Sequence, residues 1–277
     1  MNENFKEFSV LMAIYDKNDP EELREALKTV FDNTILPKQC IIVEDGPINK
    51  ILKNVINTFQ KKYPGVIETI SIARNCGLGS ALSEGQKYIK YPYVARVDSD
   101  DLNEAERFEK QLEVLESDSS IGMVGSYIQE FEDDARLDFR VVPIEHREIF
   151  KYAKYKSPMN HMTVMIRTEV LEETGGYRDM LLFEDYDLWL RILHTDWQCR
   201  NISEPLVKAR ISSKMFKRRG GFKYLLCYLK FRVDALKNKR INFWHFISMA
   251  FIHSTVIMMP NSLRSNIYST FLRKTSV

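Results

Sequence analysis

The sequence predicts an α/β fold whose sheet is mainly parallel and is flanked by helices. Within the first 130 residues, apolar runs of strand composition alternate with stretches whose apolar residues recur at helical spacing. The runs are apolar throughout, which is typical of strands covered by helices on both faces. A 277-residue chain with 44% hydrophobic and 28% charged residues is long enough for one large globular domain with a helical appendage.

Nine elements are predicted in this first part. The strands are Phe8–Ile14, Cys40–Val43, Val66–Ile72, Tyr93–Val97 and Ile121–Val124. The helices between them are Pro20–Phe31, Asn49–Tyr63, Ser80–Ile89 and Glu104–Leu115. Pro20 directly follows Asp19, which fits the first turn of a helix capped by that aspartate. Beyond them, the pattern predicts short strands at Ser126–Phe131, Phe139–Val142 and His161–Arg167, and helices at Phe183–Leu193 and Phe222–Lys237.

Charge divides the chain into two parts. Residues 1–207 contain 25 basic and 37 acidic residues, a net charge of −12. Residues 208–277 contain 15 basic residues and one acid, Asp234, a net charge of +14. An acidic body with a basic tail indicates two different roles. We therefore predict a ligand-binding domain over residues 1–215 and a basic, apolar helical extension over residues 216–277.

Polar or charged side chains directly follow each of the first four predicted strands. The carboxyl ends of parallel strands meet at one edge of a sheet, where ligands of such folds bind. One acid in this position is usually a turn former or a helix cap. Shared placement after four strands favours a binding site instead. The segments are Tyr15–Asp16, Glu44–Gly46, Arg74–Gly79 and Arg96–Asp101.

The most specific of these segments is Asp98-Ser99-Asp100-Asp101. In extended backbone, residues i and i+2 project to one side, so Asp98 and Asp100 can converge. Two close carboxylates repel each other unless a cation lies between them, and Mg²⁺ or Mn²⁺ prefers such oxygen ligands. The alternative is that Asp100 or Asp101 caps the next helix, but capping requires only one acid.

Three common kinds of site are disfavoured. Gly77 and Gly79 match the start of the G-x-G-x-x-G pattern, but Leu82 occupies the third glycine position. No acid stands in the expected place after a first strand, so a dinucleotide-binding domain is not expected. The sequence has no phosphate-binding P-loop, and its four cysteines lack the C-x-x-C spacing of a zinc site.

A second acidic segment, Glu184-Asp185, opens a predicted helix. The helix macrodipole favours negative charge there, which alone explains the two acids. An acid at a helix start beside a cleft is also a plausible general base. Trp189 lies on the same helix face as Asp185, where its ring would serve either as a platform for a sugar or as part of the core.

In order along the chain, these segments resemble the family 2 glycosyltransferases, which are inverting enzymes of the Rossmann-like GT-A fold. The resemblance extends from Phe8 to Arg210. It depends on all of these segments occurring in this order, because each segment alone is weak evidence for the family. The pieces are Ala13–Asp16, Val43–Gly46, Arg74–Gly79, Arg96–Asp101, Asn160–Arg167, Gly175–Tyr177 and Glu184–Arg191.

The resemblance implies a role for each segment. Tyr15, Glu44 and Asp45 would hold the nucleoside of a nucleotide sugar, most often UDP-linked. Asp98 and Asp100 would form the Asp-x-Asp motif that binds Mn²⁺ or Mg²⁺, and Asp185 would be the general base. The expected nucleotide-sugar-binding residues are Ala13, Tyr15, Glu44, Asp45, Arg74, Asn75, Gly79, Arg96, Asp98 and Asp100, and the acceptor-side residues are His161, Glu184 and Trp189. His161 has an equally weighted alternative as a packing residue.

One position departs from the family pattern. Many relatives carry a histidine two residues after a late arginine, as a further contact to the metal or diphosphate. Here Ser212 stands two residues after Arg210. Serine is a poorer ligand, so we expect either weaker metal affinity or a diphosphate contact from the cations at positions 214–219.

The basic tail points to a membrane surface. Lys208–Arg240 contains 12 basic residues with interleaved aromatic residues, but no nucleic-acid-binding module is recognisable, so nucleic acid is not an expected partner. Attraction to anionic lipids is the favoured interpretation, and a solvated basic face is the alternative. Residues 241–263 are uncharged and long enough to span a membrane, yet their polar residues favour a helix in the interface. Because no signal peptide is recognisable, we expect a cytoplasmic chain on the cytoplasmic face of the inner membrane.

The tail is also similar to those of bacterial surface-polysaccharide glycosyltransferases, whose acceptors are lipid-linked sugars. The sequence therefore predicts an inverting, metal-dependent glycosyltransferase that extends a lipid-linked oligosaccharide of an O-antigen, capsule or exopolysaccharide. A sugar nucleotidyltransferase is the first alternative, although Tyr15–Asp19 lacks the Gly-rich loop usual there. A non-catalytic membrane-associated scaffold is the second, which intact Asp98, Asp100 and Asp185 disfavour.

Overall fold

The computed structural model describes residues 5–132, 135–211 and 221–258. The strands of this part are β1 (Phe8–Ile14), β2 (Gln39–Asp45), β3 (Ile67–Ile72), β4 (Tyr93–Arg96), β5 (Leu102–Asn103), β6 (Ile121–Glu132), β7 (Ala135–Arg140), β8 (Met165–Arg167) and β9 (Gln198–Arg210). Its helices are α1 (Pro20–Phe31), α2 (Lys50–Lys62), α3 (Leu78–Gly85), α4 (Arg107–Ser117), α5 (His146–Tyr152), α6 (Thr168–Thr174), α7 (Glu184–Ile192), α8 (Phe222–Lys237) and α9 (Phe243–Met258).

These strands form one sheet in the order β3-β2-β1-β4-β8-β6-β9-β5, with β7 paired to β6. The half made by β3, β2, β1 and β4 is entirely parallel. Strand β8 runs antiparallel to both β4 and β6 and joins this half to the parallel pair β6 and β9. The polar ends of β1, β2 and β4 therefore share one edge, as predicted.

Helices cover both faces of the sheet, which confirms the predicted α/β architecture. On one face, α1, α2 and α4 bury residues such as Leu27, Leu52 and Phe108. On the other face, α3, α6, α7 and α8 pack around Trp189. Helix α3 approaches the sheet closely because Gly85 has no side chain: a Cβ there would lie 2.5 Å from a methyl group of Val43.

Most predicted elements are confirmed. Helices α5 and α6 and the short strand β5 were not predicted, and three further segments differ from the prediction. Strand β6 runs unbroken through Ile121–Glu132, where two shorter strands were expected. The segment predicted as a strand over His161–Arg167 begins with a 3-10 turn, because the backbone amide and hydroxyl of Thr163 both bond the carbonyl of Asn160, and only Met165–Arg167 is strand. Strand β9 was not predicted, because residues such as Asn201 and Glu204 interrupt its apolar pattern.

The helices α8 and α9 pack against the body of the molecule. Phe231 of α8 stacks on Phe183, with ring centroids 5.2 Å apart and an interplanar angle of 5°. The predicted boundary at residue 215 lies outside the described residues and stays a prediction. Among the residues that the structure describes, no helix is both long and apolar enough to cross a membrane.

Candidate active site

Three carboxylates meet just after β4. One oxygen from each of Asp98, Asp100 and Asp101 lies within 4.8 Å of the others. The guanidinium of Arg96 donates to the carboxylate of Asp98 and to the carbonyl of Val97. Because Arg96 is only 2% exposed, it orients Asp98 rather than offering a surface to a ligand. A buried arginine thus binds the partly exposed carboxylate of Asp98.

Two further arginines hold the acidic segment in place. Arg107 is fully buried and donates to the carbonyl of Arg96 at 2.7 Å. The backbone amide of Arg210 donates to Asp101 at 2.8 Å, and its side chain bonds the carbonyl of Asp100 at 3.2 Å. Asp101 is therefore engaged in fixing β9 to the segment, while Asp98 and Asp100 remain partly exposed.

The carboxylates of Asp98, Asp100 and Asp101 are close enough for their charges to shift one another's pKa values. Burial and the charge of Asp98 raise the pKa of Asp100 to about 6. Burial, together with the same charge, raises the pKa of Asp101 well above its ordinary value. Burial would also raise the pKa of Asp98, but the Arg96 guanidinium reverses this effect and lowers it. A divalent cation would relieve this repulsion and would find oxygen donors already gathered.

The loop after β3 is tied to the end of β2. Both carboxylate oxygens of Asp45 accept backbone amide hydrogen bonds, from Cys76 at 2.7 Å and Gly77 at 2.9 Å. Glu44 accepts from the Ser71 hydroxyl at 2.8 Å. Gly46 adopts φ +88°, and any Cβ there would lie 2.7 Å from the backbone nitrogen of Asn75. Asp45 thus shapes the loop, a role that sequence reasoning did not assign.

The remaining residues of the expected nucleotide-binding set line the same edge. Arg74 and Asn75 are exposed, Tyr15 is 36% exposed, and Ala13 is half-buried. Gly79 lies where α3 meets the segment before α7, since a Cβ there would approach both the Arg178 carbonyl and the Glu184 Cβ to 2.9 Å. Arg74, Asn75 and Tyr15 are therefore the solvent-accessible side chains of this set.

The start of α7 is electrostatically linked to the acidic segment. Burial and the neighbouring charge of Asp185 raise the pKa of Glu184 to about 7, and Asp98 adds to that rise. Burial also raises the pKa of Tyr177, with further contributions from Asp185 and Asp98. The charges of Asp98 and Asp185 thus both raise the pKa of Glu184 and of Tyr177, which indicates that these two residues lie near both aspartates.

His161 and Trp189 lie behind this site. His161 Nε2 is 3.0 Å from the Tyr177 hydroxyl, and its ring meets that of Trp189 edge-on at 5.9 Å. Burial and the Arg96 charge lower the pKa of His161 to about 3, so the ring is neutral. Trp189 is fully buried, so its faces offer no platform to a sugar, and the alternative of a core residue describes it. His161 is half-buried and reaches the site through Tyr177.

A buried ion-pair cluster holds the loop before α7. Asp187 is 1% exposed and binds Arg191 at 2.9 Å and Arg178 at 2.6 Å. Arg191 also donates to the carbonyls of Thr174 and Gly176, each at 2.6 Å. Sequence reasoning missed this role, although the i, i+4 spacing of Asp187 and Arg191 is typical of an ion pair on a helix. Ser212 and positions 214–219 lie outside the described residues.

Residues 9–175 match the sequence profile of the family described as Glycosyl transferase family 2. The chain belongs to this family. A galactosyltransferase from Escherichia coli, named UDP-Gal:alpha-D-GlcNAc-diphosphoundecaprenol beta-1,3-galactosyltransferase, is 34% identical over 99% of both chains. The amylovoran biosynthesis glycosyltransferase AmsE of Erwinia amylovora is 31% identical over 94% of this chain and 97% of its own.

Solved structures confirm the GT-A fold of this glycosyltransferase. A mannosyltransferase from Pyrobaculum calidifontis, in complex with GDP-Man and Mn²⁺, superposes with a TM-score of 0.64 at 11% identity, covering 99% of this chain and 77% of that one. Residues 1–349 of TarS from S. aureus, in complex with UDP-GlcNAc, give a TM-score of 0.65 at 15% identity, covering 97% and 76%. The family match does not favour the alternative of a sugar nucleotidyltransferase.

Proposed function

We propose that this enzyme transfers a sugar, with inversion at the anomeric carbon, from a UDP-linked hexose or N-acetylhexosamine to a hydroxyl of a lipid-linked oligosaccharide. The product would be a repeat of an O-antigen, capsule or exopolysaccharide. One observation supports the proposal: the carboxylates of Asp98, Asp100 and Asp101 gather within 4.8 Å, and the charges of Asp98 and Asp185 both raise the pKa of Glu184 and of Tyr177.

The residues present suit a divalent metal. Three carboxylate oxygens within 4.8 Å form a hard donor set, and the raised pKa of Asp100 reflects burial and repulsion that a cation would offset. Asp98 and Asp100 would hold Mn²⁺ or Mg²⁺, because Asp101 is occupied by the Arg210 amide. Such an ion, when bound, neutralises charge developing on a diphosphate leaving group.

The chain's own residues supply the remaining chemistry. Asp185 would accept the proton of the acceptor hydroxyl as its oxygen attacks the anomeric carbon, opposite the departing nucleoside diphosphate. The C–O bond to the diphosphate breaks as the new glycosidic bond forms, and this single displacement inverts the configuration. Arg96 keeps Asp98 oriented, and Asp187 with Arg191 holds the loop that carries Tyr177.

The choice of donor and acceptor draws on the relatives. The printed name of the Escherichia coli relative gives a UDP-linked galactose as donor and a diphosphoundecaprenol-linked sugar as acceptor, and that protein aligns along 99% of this chain. The name of the Erwinia amylovora relative places it in biosynthesis of the polysaccharide amylovoran. An acceptor of this kind is anchored in a membrane, so the enzyme would work at the membrane surface.

The exposed face of α9 suits such a surface. Phe243, Trp244 and Phe251 are 56%, 76% and 75% exposed, which is unusual for large apolar side chains. Together with the basic residues of α8, they would lie at the headgroup level of an anionic membrane. We therefore propose that the enzyme is a peripheral protein at the cytoplasmic face of the inner membrane.

A panel of nucleotide sugars tests the proposal. With Mn²⁺ present, a UDP-sugar at about 100 times its Kd is expected to raise the free energy of unfolding by about 2.7 kcal/mol. For a chain of this size that corresponds to a rise in Tm of roughly 5–10 °C. The measurement is a thermal melt in the presence of each donor, with release of UDP as a second readout.

The double variant Asp98→Asn with Asp100→Asn is the matched control. It keeps the size of both side chains but removes their charges, so the stabilisation that depends on Mn²⁺ is expected to disappear. If no nucleotide sugar raises the Tm of the wild-type enzyme, the proposed function is wrong. A GDP-sugar that stabilises while UDP-sugars do not would overturn the choice of donor.

A further inference from the structure

A cleft of about 410 Å³ lies where α8 and α9 meet α5, away from the acidic segment. Its lining carries the cationic side chains of Lys154, Lys239 and Arg240. Among the described residues that line it there is no carboxylate. The rest of the lining is histidine, asparagine and apolar side chains: His194, His245, Asn242, Phe150, Leu236 and Ile241. The cleft is therefore cationic and partly apolar.

The positive charge of the cleft is only partly balanced. Arg240 pairs with Asp234 at 3.2 Å and lies 3.6 Å from Asp187. The ammonium group of Lys154 stands over the ring of Phe150, 5.3 Å from its centroid. In residues 5–132, 135–211 and 221–258, no carboxylate forms a salt bridge with Lys154 or Lys239. Two ammonium groups thus remain available to an anion.

A buried arginine adds to this charge. Arg232 is fully buried, and its guanidinium donates to the carbonyls of Lys154 at 3.0 Å and His245 at 3.3 Å, two residues that line the cleft. Within the described part of the chain, it has no carboxylate partner. Burying an unpaired charge is costly, and an anion bound in the adjacent cleft would offset that cost.

The start of α9 also makes the cleft more favourable for an anion. Asn242, which lines the cleft, caps this helix by accepting the His245 amide at 2.8 Å. The positive end of the helix dipole therefore points toward the cleft and favours an anion there. Burial and the charges of Lys154 and Arg232 lower the pKa of His245, which is consistent with a positive local potential.

We propose that this cleft binds a phosphate group carried by a membrane lipid. A phosphate is the anion that two ammonium groups and a helix start accommodate well. The apolar lining and the exposed rings of Phe243 and Trp244, which follow Asn242 directly, favour a phosphate attached to an acyl or polyprenyl chain over a free one. The inference rests on the proposed function in one respect only: the lipid that carries the acceptor in the proposed reaction is one source of this phosphate.

Vesicle binding by the full chain tests the cleft. The double variant Lys154→Ala with Lys239→Ala is expected to bind phosphatidylcholine vesicles containing phosphatidylglycerol about 30-fold more weakly than wild type, from the loss of two cations at the surface. The control is Lys53→Ala with Lys61→Ala, which removes the same charge from exposed positions on α2, on the opposite face of the sheet. It is expected to change the Kd less than twofold.

A second variant separates charge from packing. Lys154→Arg with Lys239→Arg keeps both charges and is expected to retain binding within about threefold. The cleft is not a lipid-phosphate site if the alanine pair binds like the α2 control both to vesicles with phosphatidylglycerol and to vesicles with a polyprenyl phosphate, or if the arginine pair loses as much binding as the alanine pair. Thermal melts of each variant identify any loss of folding.

A second set of vesicles identifies the source of the phosphate. Phosphatidylcholine vesicles doped with a long-chain polyprenyl phosphate replace those with phosphatidylglycerol. A loss confined to the polyprenyl vesicles assigns the cleft to the acceptor lipid, and an equal loss on both assigns it to bulk headgroups. The assay contains no nucleotide sugar, so its result is independent of the donor-binding test of the proposed function.

Discussion

Replacing Asp185 with asparagine is expected to lower sugar transfer by about 10²–10⁴-fold, the contribution of a positioned general base. Asparagine has nearly the same shape but cannot accept the proton of the acceptor hydroxyl. The proposed donor contacts are at the ends of β1–β4 and do not include Asp185, so donor binding should be preserved. The measurement is kcat for transfer, together with the Tm shift that a UDP-sugar and Mn²⁺ produce in the variant.

Asp196→Asn is the matched control, because Asp196 is an exposed acid just beyond the far end of α7. It should transfer at close to the wild-type rate. If Asp185→Asn retains activity within a few-fold, Asp185 is not the base. If it loses donor binding as completely as transfer, Asp185 belongs to the donor site instead.

Replacing Asp187 with alanine is expected to destabilise the enzyme by about 3–5 kcal/mol, because it leaves the buried guanidinium of Arg191 without a counter-charge. Asp187 is 1% exposed and also binds Arg178, which in turn binds Asp234 of α8. The loss should therefore loosen both the Tyr177 loop and the attachment of α8. Urea unfolding at neutral pH measures the change in free energy of unfolding.

The exposed Asp196→Ala variant again provides the comparison and should change stability by no more than about 0.5 kcal/mol. Asp187→Asn should fall between the two, since the amide keeps one hydrogen-bond acceptor but loses the charge. An Asp187→Ala enzyme as stable as the Asp196→Ala variant would show that the cluster adds no net stability.

Much of the fold can be predicted from the sequence, because its first half alternates apolar runs of strand composition with stretches whose apolar residues recur at helical spacing. Helix α1 begins and ends at the predicted residues, since Asp19 caps it and Pro20 opens it. Strand β9 was hidden because only part of it is buried, so polar residues break its pattern. The turn at His161 was hidden for a different reason: it depends on the Thr163 side chain folding back onto Asn160.

The candidate site was predictable where chemistry requires unusual residues together. Asp98, Asp100 and Asp185 drew attention because clustered acids are hard to explain otherwise. The residues that support the site could not be recognised in the sequence. Arg107 and Arg191 lie on helices, where an arginine is usually an exposed surface charge. Only the tertiary structure shows that Arg107 is fully buried and bonds the Arg96 carbonyl, and that Arg191 bonds two loop carbonyls. Trp189 shows the opposite error, since its helix position allowed a sugar platform that full burial removes.

The configuration of the new glycosidic bond is the most direct test of a single displacement assisted by Asp185. The wild-type enzyme, supplied with Mn²⁺, an α-linked UDP-sugar that binds it and a lipid-linked acceptor, should give a product whose anomeric proton in NMR reports a β-linkage. An α-linked product would require two displacements or a different geometry of attack, and it would contradict the mechanism proposed for this enzyme.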